Sequence, residues 1–178
     1  MIIFDLDGTL ADCEHRKHFV RPTCSECQCE LTKEIEFDIG WHCNYPCDNV
    51  TYKKDWKPDW KSFFEACDKD SPIYSTIGVL KMLSHCNAPI EIWSGRCESV
   101  RSKTETWLAK YGITYESIKM RPIGDYTPDE ILKEKWLNEA LSQCKTIDFV
   151  FDDRPKVIRT WQSRGIFVFN CCQNNEEF

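Results

Sequence analysis

Two carboxylates near the amino terminus are spaced in a way that could support nucleophilic and acid-base chemistry. Asp5 and Asp7 follow the apolar run Met1–Phe4, and a Gly-Thr turn begins directly after them at Gly8. This pattern is typical of a buried strand, and open α/β sheets bind their ligands at the carboxyl ends of such strands. One carboxylate could attack as a nucleophile while the other transfers a proton, if their surroundings separate their pKa values. A solvated Asp-Gly turn is the alternative.

A second pair of acids follows another apolar run. Asp152 and Asp153 come directly after Thr146–Phe151, which we expect to be a further strand. Two like charges at a sheet edge repel each other unless a cation lies between them. Together with Asp5 and Asp7, this pair predicts an oxygen-rich site of the kind that Mg²⁺ prefers.

Two other stretches carry groups that could hold a phosphate. The predicted strand Ala88–Trp93 ends in Ser94-Gly95-Arg96, where a hydroxyl, a flexible glycine and a guanidinium could bind phosphoryl oxygens. Many turns between a strand and a helix look similar, so the tripeptide alone is weak evidence. Arg16 could reach the same edge of the sheet, although a surface charge run explains it equally well.

A later helix could supply a lysine. Thr127-Pro128-Asp129-Glu130 predicts a helix start with a capping box and a proline at the first helical position. Asp129 and Lys133 are four residues apart and therefore share one helix face. They could form an ordinary surface ion pair, or Asp129 could orient Lys133 toward a phosphate.

Cysteines are concentrated in the segment 21–55, which shows neither a helical nor a strand period. The chain has 12 cysteines, and in a reducing compartment these are thiols or metal ligands more often than disulfides. Two pairs in this segment have the spacing of a structural zinc site, with Cys29 and His42 as possible substitutes. The predicted zinc ligands are Cys24, Cys27, Cys43 and Cys47.

Strands and helices alternate along the rest of the chain. The apolar period predicts amphipathic helices, with Met82 among the core residues of the second. The predicted helices lie over Pro58–Cys67 and Ser75–His85, after Arg96, from Thr127 onward and over Val157–Ser163, and further strands lie over Ile113–Met120 and Ile166–Phe169.

Length and charge limit the classes of protein that fit. A chain of 178 residues is one domain, or one domain with a large insertion. The net charge of −6 argues against non-specific coating of nucleic acid, although a local basic groove remains possible. We expect no membrane span and no cleavable signal, because no apolar run is long enough and the amino terminus enters a strand at once. A cytoplasmic location is therefore expected.

Taken in order, Asp-x-Asp-Gly-Thr, Ser-Gly-Arg, a helical lysine and Asp-Asp resemble the haloacid dehalogenase (HAD) superfamily of phosphatases. The spacing of Arg16, Arg96, Asp129 and Lys133 resembles more narrowly the 3′-phosphatase domain of bacteriophage polynucleotide kinase/phosphatase. The resemblance implies an α/β fold of three layers, Rossmann-like, with a central parallel sheet. It implies one phosphatase domain over residues 1–178, with 21–55 as a cysteine-rich insertion or cap.

The resemblance also implies a role for each matching residue. Asp5 matches the nucleophile that forms an aspartyl-phosphate, and Asp7 matches the acid that protonates the leaving alcohol and later activates water. The other matches hold the phosphoryl oxygens (Ser94 and Lys133), help to hold Mg²⁺ (Asp152 and Asp153) or are needed for activity (Arg16, Arg96 and Asp129).

The expected function is a Mg²⁺-dependent phosphomonoesterase that removes phosphate from a nucleotide or from a nucleic-acid 3′ end. The sequence contains no phosphate loop of a kinase, and the cysteine-rich segment has no counterpart in the resembling domain. A phosphatase of free nucleoside 5′-monophosphates is the first alternative, and a zinc-stabilised binding module without activity is the second. If the chain is encoded by a phage, the expected location is the host cytoplasm.

Overall fold

The computed structural model describes residues 1–24, 29, 31–34, 40–43 and 56–172. The chain divides into two compact units, the first of Met1–Cys13 with Asp68–Phe178 and the second of Glu14–Cys67. The strands described are β1 (Ile2–Phe4), β2 (Ala11–Asp12), β3 (Thr32–Glu34), β4 (Gly40–His42), β5 (Ser71–Pro72), β6 (Ile90–Cys97), β7 (Ser117–Arg121), β8 (Phe149–Asp152) and β9 (Val168–Asn170). The α-helices described are α1 (Trp60–Glu65), α2 (Tyr74–His85), α3 (Arg101–Lys110), α4 (Asp129–Ser142) and α5 (Pro155–Ser163).

The first unit is built on a parallel sheet of five strands in the order β7-β6-β1-β8-β9. The predicted α/β class with a central parallel sheet is thereby confirmed. Phe4 at the end of β1 lies opposite Ile92 of β6 and Phe151 of β8. The residues that follow these three positions therefore meet at one edge, and Asp5 becomes the neighbour of Asp152.

Both faces of this sheet are covered by helices. Because side chains alternate along a strand, Ile2 and Phe4 pack on one face with α2 and α3, while Ile3 packs on the other with α4 and α5. Trp93 joins the second core, where its ring lies 6.0 Å from that of Trp136 in an edge-to-face arrangement. The buried faces on both sides hold the carboxyl edge of the sheet in a fixed position.

The structure corrects several local predictions. Met82 is 65% exposed, because it lies roughly 200° around α2 from the buried Leu80. Pro128 is the N-cap of α4 and no side chain caps the helix, so the predicted capping box at Thr127 is wrong. Ser94-Gly95-Arg96 lies inside β6 rather than after it, next to an irregularity in the pairing of β6 with β7.

The second unit contains two short antiparallel strands, β3 paired with β4, and the helix α1. Asp59 caps α1 by accepting a hydrogen bond of 3.0 Å from the amide of Ser62. Cys24 and Cys43 are buried together with Leu31. Cys27 and Cys47 lie outside the described residues, so the predicted zinc ligand set stays a prediction, as does the domain division with 21–55 as an insertion.

Glu91 provides a test of stability away from the carboxyl edge. This buried carboxylate of β6 accepts hydrogen bonds from Trp93 Nε1 at 2.9 Å and from Lys145 Nζ at 2.6 Å. Burial opposes its ionisation, but these donors outweigh burial and hold the pKa of Glu91 below its usual value. The carboxylate therefore stabilises the fold above the ordinary glutamate pKa, and this contribution is lost as the pH falls through the lowered pKa.

We expect Glu91→Gln to reduce the free energy of unfolding by about 1.5–3 kcal/mol at pH 7, as for a hydrogen bond to a charged group. Urea unfolding at pH 7 and at pH 3 measures the effect, which should shrink at the acidic pH. An equal loss at both pH values would contradict the argument.

Candidate active site

Three carboxylates converge at the carboxyl edge of the sheet. Each of Asp5, Asp152 and Asp153 offers a carboxylate oxygen, and these three oxygens lie within 4.8 Å of one another. In the described part of the chain, these residues form a group that could hold a metal ion. Burial raises the pKa of Asp5 well above its usual value, and Asp152 and Asp153 add to this, while Lys133 opposes it. Burial and the neighbouring Asp152 raise the pKa of Asp153 to about 6. We call these three residues the acid cluster.

Lys133 of α4 is the buried cation of the site. Its Nζ lies 2.6 Å from Asp5 Oδ1 and 2.9 Å from Asp152 Oδ2, and 3.7 Å from Asp129 Oδ2. Burial disfavours the ammonium, but the three carboxylates outweigh burial and hold the pKa of Lys133 above its usual value. The side chain therefore stays charged at neutral pH, beside the carboxylate that is the candidate nucleophile.

Asp7 contacts Arg96 and is not a member of the acid cluster. Its Oδ1 accepts hydrogen bonds from Arg96 Nε at 2.8 Å and from Arg96 Nη2 at 2.5 Å. The two acids of the first motif thus have different surroundings, because Asp5 contacts Lys133 and Asp7 contacts Arg96.

Asp70 also contacts Arg96 and was not predicted from the sequence. Its Oδ2 lies 2.5 Å from Arg96 Nη2, and its backbone carbonyl accepts a hydrogen bond of 2.8 Å from Trp107 Nε1. Arg96 and Asp70 are both buried. No apolar run precedes Asp70, so the sequence offers no strand end that would mark this acid as part of a site.

Asp129 lies among cations at the start of α4. Its Oδ1 is 3.1 Å from Arg121 Nη2, and its Oδ2 is 3.5 Å from Arg154 Nη1. Burial opposes ionisation of Asp129, but Lys133, Arg154 and Arg121 outweigh it and hold its pKa below the usual value. Asp129 therefore stays ionised and links Lys133 to both arginines.

Glycine is required at two positions that face these acids. A Cβ on Gly95 would lie 2.6 Å from Asp129 Oδ1. A Cβ on Gly8 would lie 1.9 Å from Asp153 Oδ2, and Gly8 has a φ of +84°, which side chains rarely adopt. Gly8 in its turn and Gly95 inside β6 therefore let acids from other elements approach the backbone closely.

Gly95→Ala should lower kcat/KM for phosphate release by about 100-fold, because a displacement of about 1 Å near a reacting centre has that effect. Asp129 cannot easily move away, since it contacts Arg121, Arg154 and Lys133. The matched control is Gly78→Ala in α2, where an added Cβ would meet nothing within 4 Å. Steady-state kinetics of both variants test the prediction, and equal activities would contradict it.

The remaining predicted residues are placed as follows. Ser94 is fully buried, and its Oγ accepts a hydrogen bond of 3.2 Å from the amide of Arg96. Arg16 belongs to the second unit, where it donates a 3.2 Å hydrogen bond to the carbonyl of Phe63 and its guanidinium lies over the Phe63 ring. A phosphate contact of Arg16 stays a prediction.

Comparisons with known proteins agree with this geometry. Residues 59–176 match the family model described as the polynucleotide kinase PNKP phosphatase domain, of HAD type. A putative bifunctional polynucleotide kinase/RNA ligase of Autographa californica nuclear polyhedrosis virus is 34% identical over 127 residues, covering 68% of this chain and 18% of that protein. The chain therefore spans less than a fifth of this relative.

Solved structures show the same fold. A solved structure of a Pnkp1/Rnl/Hen1 complex matches with a TM-score of 0.65 at 24% identity, covering 96% of this chain and 45% of its counterpart. A class C acid phosphatase from Bacillus anthracis with tungstate bound matches with a TM-score of 0.57 at 15% identity, covering 99% of this chain and 68% of its counterpart.

The described residues include no helix with the length and apolar character needed to cross a bilayer.

The resemblance to HAD phosphatases is confirmed by the family match, which extends over more than half of the chain. This chain is a phosphatase and belongs to the HAD-type family of polynucleotide kinase phosphatase domains.

Proposed function

We propose that this domain is a Mg²⁺-dependent phosphomonoesterase that acts on a phosphate at a nucleic-acid 3′ end. The observation that carries the proposal is the position of Asp5, which lies inside the acid cluster and against Lys133. Support for the substrate comes from the family, whose description names a polynucleotide kinase, and from the viral relative, whose name adds an RNA ligase.

The residues of the acid cluster fit a magnesium ion. Their oxygens are the ligands that Mg²⁺ prefers, and the raised pKa values of Asp5 and Asp153 reflect buried like charges that a divalent cation would offset. Asp5, Asp152 and Asp153 would hold the ion, and a role for Asp7, the fourth predicted ligand, whose carboxylate contacts Arg96, stays a prediction. When bound, the ion would supply stabilisation of negative charge on the phosphoryl oxygens.

Phosphate release then follows in two steps. In the first, an oxygen of Asp5 forms a bond to phosphorus as the ester P–O bond breaks, and Asp7 gives its proton to the leaving alcohol oxygen. In the second, Asp7 takes a proton from water, whose oxygen attacks phosphorus and releases the Asp5 carboxylate and inorganic phosphate. Lys133 and Ser94 would hold phosphoryl oxygens in both steps.

A phosphatase of free nucleoside 5′-monophosphates is the second candidate. It is favoured by the net charge of −6, which would repel a long polyanion more than a single nucleotide. The earlier alternative of a binding module without activity conflicts with membership of a phosphatase family.

The two candidates are separated by comparing phosphate release from a 3′-phosphorylated oligonucleotide and from nucleoside 5′-monophosphates. We expect faster release from the oligonucleotide, and loss of activity when EDTA removes Mg²⁺. Release from mononucleotides alone would select the second candidate, and activity that is unchanged in EDTA would overturn the magnesium assignment.

We also propose that Cys24, Cys27, Cys43 and Cys47 hold a structural zinc ion. The support is the spacing of the two pairs, together with the burial of Cys24 and Cys43 in one cluster with Leu31. Elemental analysis of protein purified without chelators should find about one zinc per chain, and a zinc-free protein would overturn the proposal.

The cytoplasmic location expected from the sequence stays a prediction.

A further inference from the structure

The loop between β7 and α4 presents two large apolar side chains at the edge of the sheet that carries the acid cluster. Tyr126 is 86% exposed and Ile123 is 74% exposed. The loop leaves the carboxyl end of β7 and enters the start of α4, and this edge is where parallel sheets bind their ligands. Both side chains are therefore available for contact with a ligand bound at this edge.

The backbone of this loop has a defined conformation. The amide of Asp125 donates a 3.1 Å hydrogen bond to the carbonyl of Pro122, and Gly124 has a φ of +80°, as in a type II turn. The carboxylate of Asp125 then accepts a 2.8 Å hydrogen bond from the amide of Thr127. Tyr126 is therefore held on an ordered loop, which lowers the entropy lost when a ligand binds.

Arg121 connects the loop to the candidate active site. Its Nη1 donates to the carbonyl of Thr127 at 2.5 Å, its Nη2 to Asp129 Oδ1 at 3.1 Å and its Nε to the carbonyl of Gly95 at 3.0 Å. Tyr126 is only three residues from Asp129, a distance of at most about 11 Å along the backbone. Asp129 in turn is linked through Lys133 to Asp5, so the loop lies at the same edge of the sheet as a phosphate bound at Asp5.

We propose that Tyr126 stacks on the nucleobase of the nucleotide that carries the phosphate, with Ile123 beside it. This inference rests on the proposed function. Stacking on an aromatic ring contributes about 1–3 kcal/mol per base and hardly depends on which base it is. The domain would thus require a base next to the phosphate without strong sequence preference. The competing occupant of these side chains is a partner protein.

Fluorescence of a base analogue tests the contact directly. The probe is an oligonucleotide whose 3′-phosphorylated terminal nucleotide carries 2-aminopurine. Every protein compared also carries Asp5→Asn, which prevents turnover of the probe. We expect binding to quench the fluorescence, Tyr126→Phe to preserve the quenching, and Tyr126→Ala to abolish it. The matched control is Phe167→Ala, which removes a 64% exposed ring just before β9, at the opposite edge of the sheet. Quenching that survives Tyr126→Ala, or none with Tyr126 intact, overturns the proposal and favours the partner protein.

Kinetics of the active chain provide a second readout. Tyr126→Ala should lower kcat/KM about 5- to 150-fold on the oligonucleotide, which is the stacking energy converted to a rate ratio, and leave it nearly unchanged when the terminal nucleotide lacks its base. An equal fall on both substrates, or no fall on either, contradicts stacking.

The two proposals can fail separately. A chain that acts on the oligonucleotide but is indifferent to Tyr126→Ala refutes stacking alone. A chain that acts only on nucleoside 5′-monophosphates refutes the proposed substrate, and stacking is then decided by comparing a nucleoside 5′-monophosphate with ribose 5-phosphate in the same variants.

Discussion

Replacing Asp5 with asparagine should reduce phosphate release by at least about 10³-fold, because the amide cannot serve as the attacking group. The substitution preserves the size of the side chain. It replaces a carboxyl group whose ionisation is already disfavoured, since burial raises the pKa of Asp5. We therefore expect the unfolding temperature to stay within about 4 °C, the shift that roughly 1 kcal/mol produces in a domain of this size. Steady-state phosphate release and thermal unfolding measure the two effects.

The control for this substitution is Asp148→Asn. Asp148 precedes β8, is about half exposed and pairs with the amino-terminal ammonium at 2.8 Å, so it lies at the opposite end of the sheet from the acid cluster. This variant should retain full activity. Asp5→Asn with full activity would refute the assignment of Asp5 as nucleophile and the two-step mechanism with it.

Lys133→Met should be the most destabilising single substitution in the site. The methionine has a similar length but leaves Asp5, Asp152 and Asp129 buried around an uncharged group. Removing one partner of a buried charge pair costs about 3–5 kcal/mol, because the remaining charge is left uncompensated. We expect a loss of this size in the free energy of unfolding, measured with urea, and loss of phosphate release in folded protein.

Lys135→Met is the matched control, since Lys135 is an exposed lysine two residues further along α4. It should change the free energy of unfolding by less than about 0.5 kcal/mol. If the two lysine variants unfold at the same urea concentration, the charge of Lys133 does not stabilise the cluster of Asp5, Asp129 and Asp152.

The positions of Asp5, Asp152 and Lys133 were predictable because each follows a strong local pattern. An apolar run ended by an acid indicates a strand end, and the register of β1 with β8 then brings the two acids together. The spacing of Asp129 and Lys133 likewise predicts one helix face, on which their charged atoms lie 3.7 Å apart.

The contacts of Arg96 were not predictable from such patterns. The sequence predicts a phosphate donor at this position, whereas the described contacts of its guanidinium include the carboxylates of Asp7 and Asp70. Asp70 is distant from Arg96 in sequence and belongs to a polar segment, so no local period relates the two. Such pairings depend on the tertiary structure. The predicted cap at Thr127 failed for a local reason, because the amide of Thr127 donates a hydrogen bond to the carboxylate of Asp125 in a turn before the helix.

The central place of β1 in the sheet has a consequence for how the molecule is made. This strand is synthesised well before β6 and β8, yet it pairs with both of them. Closing such distant contacts is slow, so an apolar segment waits unpaired during translation. A nascent chain released before β8 would lack one of the two neighbours of β1, and with it Asp152. We expect such a chain to be a target for chaperones and proteases.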